Sequence, residues 1–295
     1  MMLISPDAPL WIAARMFLLE KGDDFFSQWD KVEKTFEHED IHDLRVASRR
    51  LREGLALFAP CFPAKSLSRI STRAKRLTGL LGAIRNTDEA LAFFSCQRDN
   101  STQAVGELLE KPLASLREER KSELKRLRKG ITSLEPKAFR KFFLETCNSP
   151  LIFIKSPIDP FTTVGLFARK MIDVRLGPVA ELLPEAVREE NINAQHRLRI
   201  AVKRLRYRYE LVAPIAHGTY QELHESIKKY QEILGTMHDL DVFANLAIER
   251  IAGEDALEMV LVDIMQKRKQ AFSVFMEMQN AIPFEQLGKR LKESL

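Results

Sequence analysis

"HDLRVASRRLREGLALF" (His42–Phe58) and "HRLRIAVKRLRYRYELV" (His196–Val212) decide how this chain folds. At about 100° per residue, Leu44, Ala47, Leu51, Leu55 and Phe58 form one stripe of the first stretch. His42, Arg45, Arg49 and Arg52 form the opposite stripe, with Arg50 off to one side. The second stretch divides the same way, Leu198, Ala201, Leu205 and Tyr209 against His196, Arg199, Lys203 and Arg206. Both read as amphipathic helices, and at about 1.5 Å of rise per residue each cationic stripe is roughly 15 Å long.

Superposed on their histidines, the two stretches match at most of their charged and core positions. Arg45 meets Arg199, Ala47 meets Ala201, Arg49 meets Lys203, Arg50 meets Arg204, Leu51 meets Leu205 and Arg52 meets Arg206. The same shift carries Arg15 onto Arg169. At a shift one residue shorter, "LLGAIRNTDEALAFF" (80–94) meets "ILGTMHDLDVFANLA" (233–247). There Gly82 pairs with Gly235, Arg85 with His238 and Asp88 with Asp241, while Lys75 and Arg76 fall on Lys228 and Lys229. The chain reads as an internal duplication, with repeats over 1–150 and 151–295. The seam falls in "CNSPLIFIKSPIDPF" (147–161), where Pro150, Pro157 and Pro160 each block helix continuation.

Apolar positions at helical spacing predict helices over about 9–36, 39–59, 64–98, 102–129 and 136–146 in the first repeat. The second gives about 161–188, 191–215, 219–250 and 254–280, with a short helix at the tail. Asp7 before Pro9 and Asp159 before Pro160 read as matched helix starts. No stretch alternates with period two, so no sheet is expected. The expected fold is all-α, two four-helix bundles related by a pseudo-two-fold axis.

Composition narrows the function class. Hydrophobic residues make up 45% of the chain, enough for a large core. Lys and Arg exceed Asp and Glu by only 46 to 41, so the position of the cations matters more than their excess. Cys61, Cys96 and Cys147 lie far apart with no C-x-x-C spacing, which points to free thiols in a reducing compartment. The N-terminus lacks signal-peptide character and every apolar run is too short to span a bilayer, so a soluble cytoplasmic protein is expected.

Exposed helix faces normally mix signs to relieve repulsion. Between His42 and Arg52 the sole acid is Asp43, and between His196 and Arg208 there is none. Like charges stacked at helical spacing cost stability, and the duplication repeats that cost, so the stripes read as an anion-binding surface. Arg15 and Arg169 each fall within an apolar stripe and are expected to face inward, bound either to Asp88 or Asp241 or to a ligand. On the third helix of each half, Lys75, Gly82 and Arg85 share a face, as do Lys228, Gly235 and His238. Each glycine there serves either close approach of an anion to the backbone or close packing of helices. His38, His217 and His224 have no repeat partner and read as surface residues.

"IHDLRVASRRLREGLALF" with "LLGAIRNTDEA", and "QHRLRIAVKRLRYRYEL" with "KKYQEILGTMHDLDV", resemble the hallmarks of the conserved histidine α-helical domain family, CHAD, over about residues 8–280. The resemblance implies two helical bundles facing each other across a basic channel that binds inorganic polyphosphate. It further implies association with polyphosphate granules, no catalytic activity and no cofactor. The cation stripes and their repeat partners nominate Arg15, His42, Arg45, Arg49, Arg50, Arg52, Lys75, Arg76, Arg85, Arg169, His196, Arg199, Lys203, Arg204, Arg206, Tyr207, Lys228, Lys229 and His238 for polyphosphate, in agreement with the resemblance. One departure from the pattern is Asn86, where the second half carries Asp239, so the two halves need not bind equally.

Three other functions fit these residues less well. Nucleic-acid binders combine basic stripes with exposed aromatics, and Tyr207 is the only aromatic inside either stripe. A polyphosphate- or triphosphate-processing enzyme needs metal-holding carboxylates, and Asp88, Asp239 and Asp241 lack a dense acidic set around them. A metal site on His42 and His196 would place a cation among arginines, so no metal is expected.

Overall fold

The computed structural model describes residues 4–152, 158–216 and 218–295, so the seam's Pro157 and the expected surface residue His217 lie outside it. The protein is all-α. Among the described residues the helices are α1 (Leu10–Thr35), α2 (His38–Leu57), α3 (Ala64–Asp99), α4 (Gln103–Ser133) and α5 (Pro136–Cys147). They continue with α6 (Val164–Ala186), α7 (Ile192–Leu211), α8 (Tyr220–Arg250), α9 (Glu254–Ala281) and α10 (Phe284–Glu293). The apolar spacing of the sequence therefore locates every helix.

Some expected ends move: α4 runs on to Ser133 and α6 begins only at Val164. α2 and α7 stop at Leu57 and Leu211, and each is followed by a single 3-10 turn, Ala59–Cys61 and Ala213–Ile215. Pro60 and Pro214 sit inside those turns; a proline ring offers no N–H and cannot continue an α-helix. The helix starts also differ from the expectation that Asp7 and Asp159 mark them. The first N–H groups of α1, at Leu10 and Trp11, donate to the backbone oxygens of Thr162 (2.9 Å) and Pro160 (3.1 Å). In return Val164 and Gly165, opening α6, donate to the oxygens of Ala8 (2.9 Å) and Pro6 (2.8 Å). The two helix N-termini thus satisfy each other's orphan donors, which leaves a carboxylate cap without a role there.

Helices adjacent in sequence pack together from α1 to α4 and again from α6 to α9, and α2 lies against α7. The apolar stripes of α2 and α7 are buried as expected, Leu44, Leu51, Leu198, Leu205 and Tyr209 completely. One continuous core runs through both halves of the chain, with Phe58 stacked on Phe167 at 5.6 to 6.2 Å from its aromatic neighbours Phe17 and Phe167. A second cluster joins the far ends of α3 and α8 to α4 and α9, where Phe93 and Phe243 stack at 4.3 Å. This packing fixes the angle between α2 and α7 and so sets their polar faces side by side.

Candidate anion-binding cleft

With their apolar stripes buried, α2 and α7 turn their cations into a cleft with two compartments. The first, of about 490 Å³, is lined by Arg45 and Arg49 of α2 and by Arg199 and Lys203 of α7. Asn86 and Glu89 of α3 stand in its walls, with Gln231, Glu232, Gly235, Thr236, His238, Asp239, Val242 and Phe243 of α8. The second, of about 630 Å³, takes Arg52, Lys75, Arg175, Arg204 and Tyr207. Arg49 and Lys203 line both compartments and stand at the junction.

These cations are poorly neutralised. Among the described residues Arg45, Arg49, Arg52, Lys203 and Arg204 make no ion pair within 4 Å, whereas their neighbours Arg50, Arg199, Arg206 and Arg208 do. The buried Nε of Arg45 has no hydrogen-bond partner. Burial, and after it the charge of Arg49, lowers the Arg45 guanidinium to about 10. Lys203 is driven further, to about 6, by burial first and then by Arg49, Arg199, Arg45 and Arg206. His238 is held down to about 4 by burial, Arg199, His196 and Lys203. A cleft that resists holding its own protons is short of negative charge.

The departure at Asn86 has a visible result. In the second half Asp239 stands 3.8 Å from Arg199. In the first half Asn86 occupies the equivalent place and Arg45 has no such carboxylate. Gly82 and Gly235 also resolve. A Cβ built on either meets nothing within 4 Å, so neither glycine serves close helix packing, and Gly235 opens directly on the cleft.

Several nominated residues lie elsewhere. Arg15 donates to Asn148 Oδ1 at 2.8 Å and 3.1 Å rather than to an acid, while Asp88 pairs with Arg120 and Asp241 with Arg268. Arg169 is exposed rather than inward-facing, as is its apolar neighbour Leu166, which is 65% exposed. Arg50 and Arg206 are both held by Glu210, at 3.0 Å and 3.4 Å. Arg76 bonds Ser133, Lys228 approaches Glu225 at 3.5 Å, and Lys229 opens on a separate surface groove. Arg85 is engaged by Glu89 at 2.9 Å and by His38 at 2.5 Å, so His38 is not a bare surface residue, and neither is His224, 3.0 Å from Glu210. His42 lies outside the lining of both compartments, its imidazole pushed down by burial and by Arg85. His196 packs ring to ring against His238, with the Nδ1 atoms 3.0 Å apart.

The sequence reading missed an ion-pair network that includes Glu53 and Arg175 of the second compartment's wall. Glu53 of α2 accepts from Arg208 of α7 at 2.5 Å and from Arg175 of α6 at 2.8 Å. Reciprocally, Glu210 of α7 receives Arg50 of α2. Arg175 had one available signal: the shift that superposes the histidines also places it on Lys21. Among the described residues no group of three His, Cys, Asp or Glu stands arranged to hold a metal ion, and no helix is long and apolar enough to cross a membrane.

A family model described as the CHAD domain matches residues 18–247. The fold is similar to the crystal structure of the CHAD domain from the plant Ricinus communis, at 23% identity and a TM-score of 0.60, covering 100% of this chain and 95% of that one. It is also similar to PptA from Streptomyces chartreusis, at 14% identity and a TM-score of 0.69, covering 92% of this chain and all of that one. No curated protein sequence matches the chain. A family match over most of the length, on an all-helical fold whose repeated basic helices meet in one cleft, places the chain in the CHAD domain family.

Proposed function

We propose that the cleft between α2 and α7 binds inorganic polyphosphate without turning it over. The observation that carries this reading is the set Arg45, Arg49, Arg52, Lys203 and Arg204, cations of two adjoining helices with no ion-pair partner among the described residues. A phosphate chain brings about one negative charge per unit, and Arg forks match its oxygens in pairs. Membership of the CHAD family supports the same substrate, and association with polyphosphate granules in the cytoplasm belongs to the same proposal. Tyr207 speaks against nucleic acid: its ring is 6% exposed and lies 4.9 Å beneath the Arg206 guanidinium, so it offers no face to a base.

The test is titration with long-chain polyphosphate, tripolyphosphate and single-stranded DNA or RNA at matched ionic strength. Long chains should bind tightest, with an affinity that falls steeply as salt rises, because counterions are released. Reversing charge with Arg49→Glu and Lys203→Glu together should abolish binding while the helical circular dichroism stays intact. A folded double variant that binds long chains as the parent does would place the site elsewhere.

A further inference from the structure

We infer that Lys203 is a reactive amine that captures small phosphorylated aldehydes as an imine, the cleft arginines holding the phosphate. The inference rests on the cleft being a phosphate site, and it adds a second class of ligand and a covalent outcome.

The geometry supplies both parts of such a site. Lys203 lines both compartments, and no carboxylate stands within 4 Å of it among the described residues. Arg45 and Arg49 face it from α2, and Arg199 and Arg206 from its own helix. On α8, His238 and Asp239 feel its charge; Asp239 would favour a protonated amine but is engaged with Arg199. On the α3 wall Glu89 is held by Arg85 and Lys75 adds another cation, while Arg175 of α6 faces the second compartment with its charge taken by Glu53. Arg49, Arg199, Arg45 and Arg206 disfavour a proton on Lys203. Arg45 and Arg49, which make no ion pair among the described residues, can each take a phosphate oxygen. The first compartment, about 490 Å³, has room for a phosphorylated aldehyde beside the amine.

The state of the amine follows from this placement. Held at about 6, Lys203 is mostly unprotonated at pH 7, whereas on the order of one ordinary lysine in a few thousand is. An unprotonated amine is the nucleophile. The Nζ lone pair adds to the aldehyde carbon while the C=O electron pair moves to oxygen. A proton passes from nitrogen to that oxygen to give a carbinolamine, and loss of water leaves the C=N bond. No electrons are exchanged with another reagent, and water is the only by-product.

The experiment treats the full chain with pyridoxal 5′-phosphate, traps the imine with borohydride and maps the modified peptide. Pyridoxal, which lacks the phosphate, is the control, and long-chain polyphosphate is the competitor. Lys203 should be modified first, at least tenfold faster than any other lysine and tenfold faster than by pyridoxal. Its second-order rate, read at low pyridoxal 5′-phosphate so that it reports the empty cleft, should stay nearly flat from pH 7 to 9, where ordinary lysines accelerate about tenfold per unit. Modification spread evenly over other lysines, or equal rates with and without the phosphate, would overturn the inference. Binding of polyphosphate with Lys203 untouched by pyridoxal 5′-phosphate sinks this inference alone. Rapid capture at Lys203 in a protein that does not bind polyphosphate sinks the polyphosphate reading alone.

Discussion

Polyphosphate binding should tighten by about 50-fold between pH 8 and pH 6, and Lys203 should account for most of it. In the empty cleft its ammonium sits at about 6. Bound phosphates replace the repulsion of Arg49, Arg199, Arg45 and Arg206 with attraction and carry it back toward an ordinary lysine, near 10.4. Above pH 6 the complex must therefore take up a proton that the free protein lacks. Over two pH units this amounts to about 50-fold in affinity, or about 2 kcal/mol. His238 adds little: returned from about 4 to an ordinary value, it contributes about fourfold over the same range. Long chains keep the titration of the polymer's own end groups out of the measurement.

Isothermal titration in buffers of different ionisation enthalpy reads both the affinity and the proton uptake. Lys203→Arg is the decisive variant, because it keeps the charge and cannot titrate in this range. It should bind at pH 8 nearly as well as at pH 6, with at most the fourfold histidine residue. An arginine variant that keeps the full 50-fold dependence would refute the assignment, and a parent protein with no pH dependence would refute the neutral amine. Stability gives a cross-check of sign. A lowered lysine pKa means that the unfolded chain binds a proton the native cleft excludes, so stability rises with pH between about 6 and 10. Lys203→Met should therefore raise Tm at pH 7, by an amount equivalent to about 1–3 kcal/mol once solvent screening is allowed for.

Three other substitutions test the cleft and its support. Asn86→Asp gives Arg45 a carboxylate like the one Asp239 gives Arg199, and should weaken polyphosphate binding about three- to tenfold by titration. Gly235→Ala meets no atom within 4 Å and should stabilise α8 by about 0.5–1 kcal/mol in urea unfolding, while the larger Gly235→Leu should fill the cleft and lower affinity. Gly22→Ala places a Cβ 2.2 Å from Cε1 of Phe143, a ring locked against Phe26, and should destabilise the fold by about 1–3 kcal/mol on the same assay.

The helices were legible because burial and periodicity agree along most of the chain, and the ends slipped only where local chemistry outweighed the pattern. Pro60 and Pro214 turned two helix ends into 3-10 turns, and α1 and α6 capped each other through backbone groups that no side-chain pattern announces. Of the nominated cations, Arg45, Arg49, Arg52, Arg199 and Lys203 of the two stripes line the cleft, and so do Arg204 beside the second stripe, Lys75 and His238. Arg169 failed because the stripe around it is not core; Leu166 beside it is mostly exposed. Arg206 lay on the stripe but is held by Glu210 four residues on along its own helix. Arg50, off to one side, meets the same Glu210 through the crossing of α2 and α7, which follows from packing remote in sequence.

That crossing explains how the fold tolerates so many like charges. Glu53 and Glu210 stand near the C-terminal ends of α2 and α7, and each reaches across to the arginine of the other helix, Glu53 to Arg208 and Glu210 to Arg50. Burial opposes the charge on Glu210, but the hydrogen bond from His224, with Arg206 and Arg50 beside it, holds its carboxyl down to about 2. A buried carboxylate shared by several cations loses much if one side is removed, so these pairs pin the two helices at one end. Toward the other end the acids of the first compartment, Glu89, Glu232 and Asp239, leave Arg45, Arg49 and Lys203 without an ion pair among the described residues, and Asn86 carries no charge. Repulsion is thus relieved where the helices are anchored and retained where the cleft opens. An anion entering there removes a strain that the anchored end prevents the helices from relieving by moving apart.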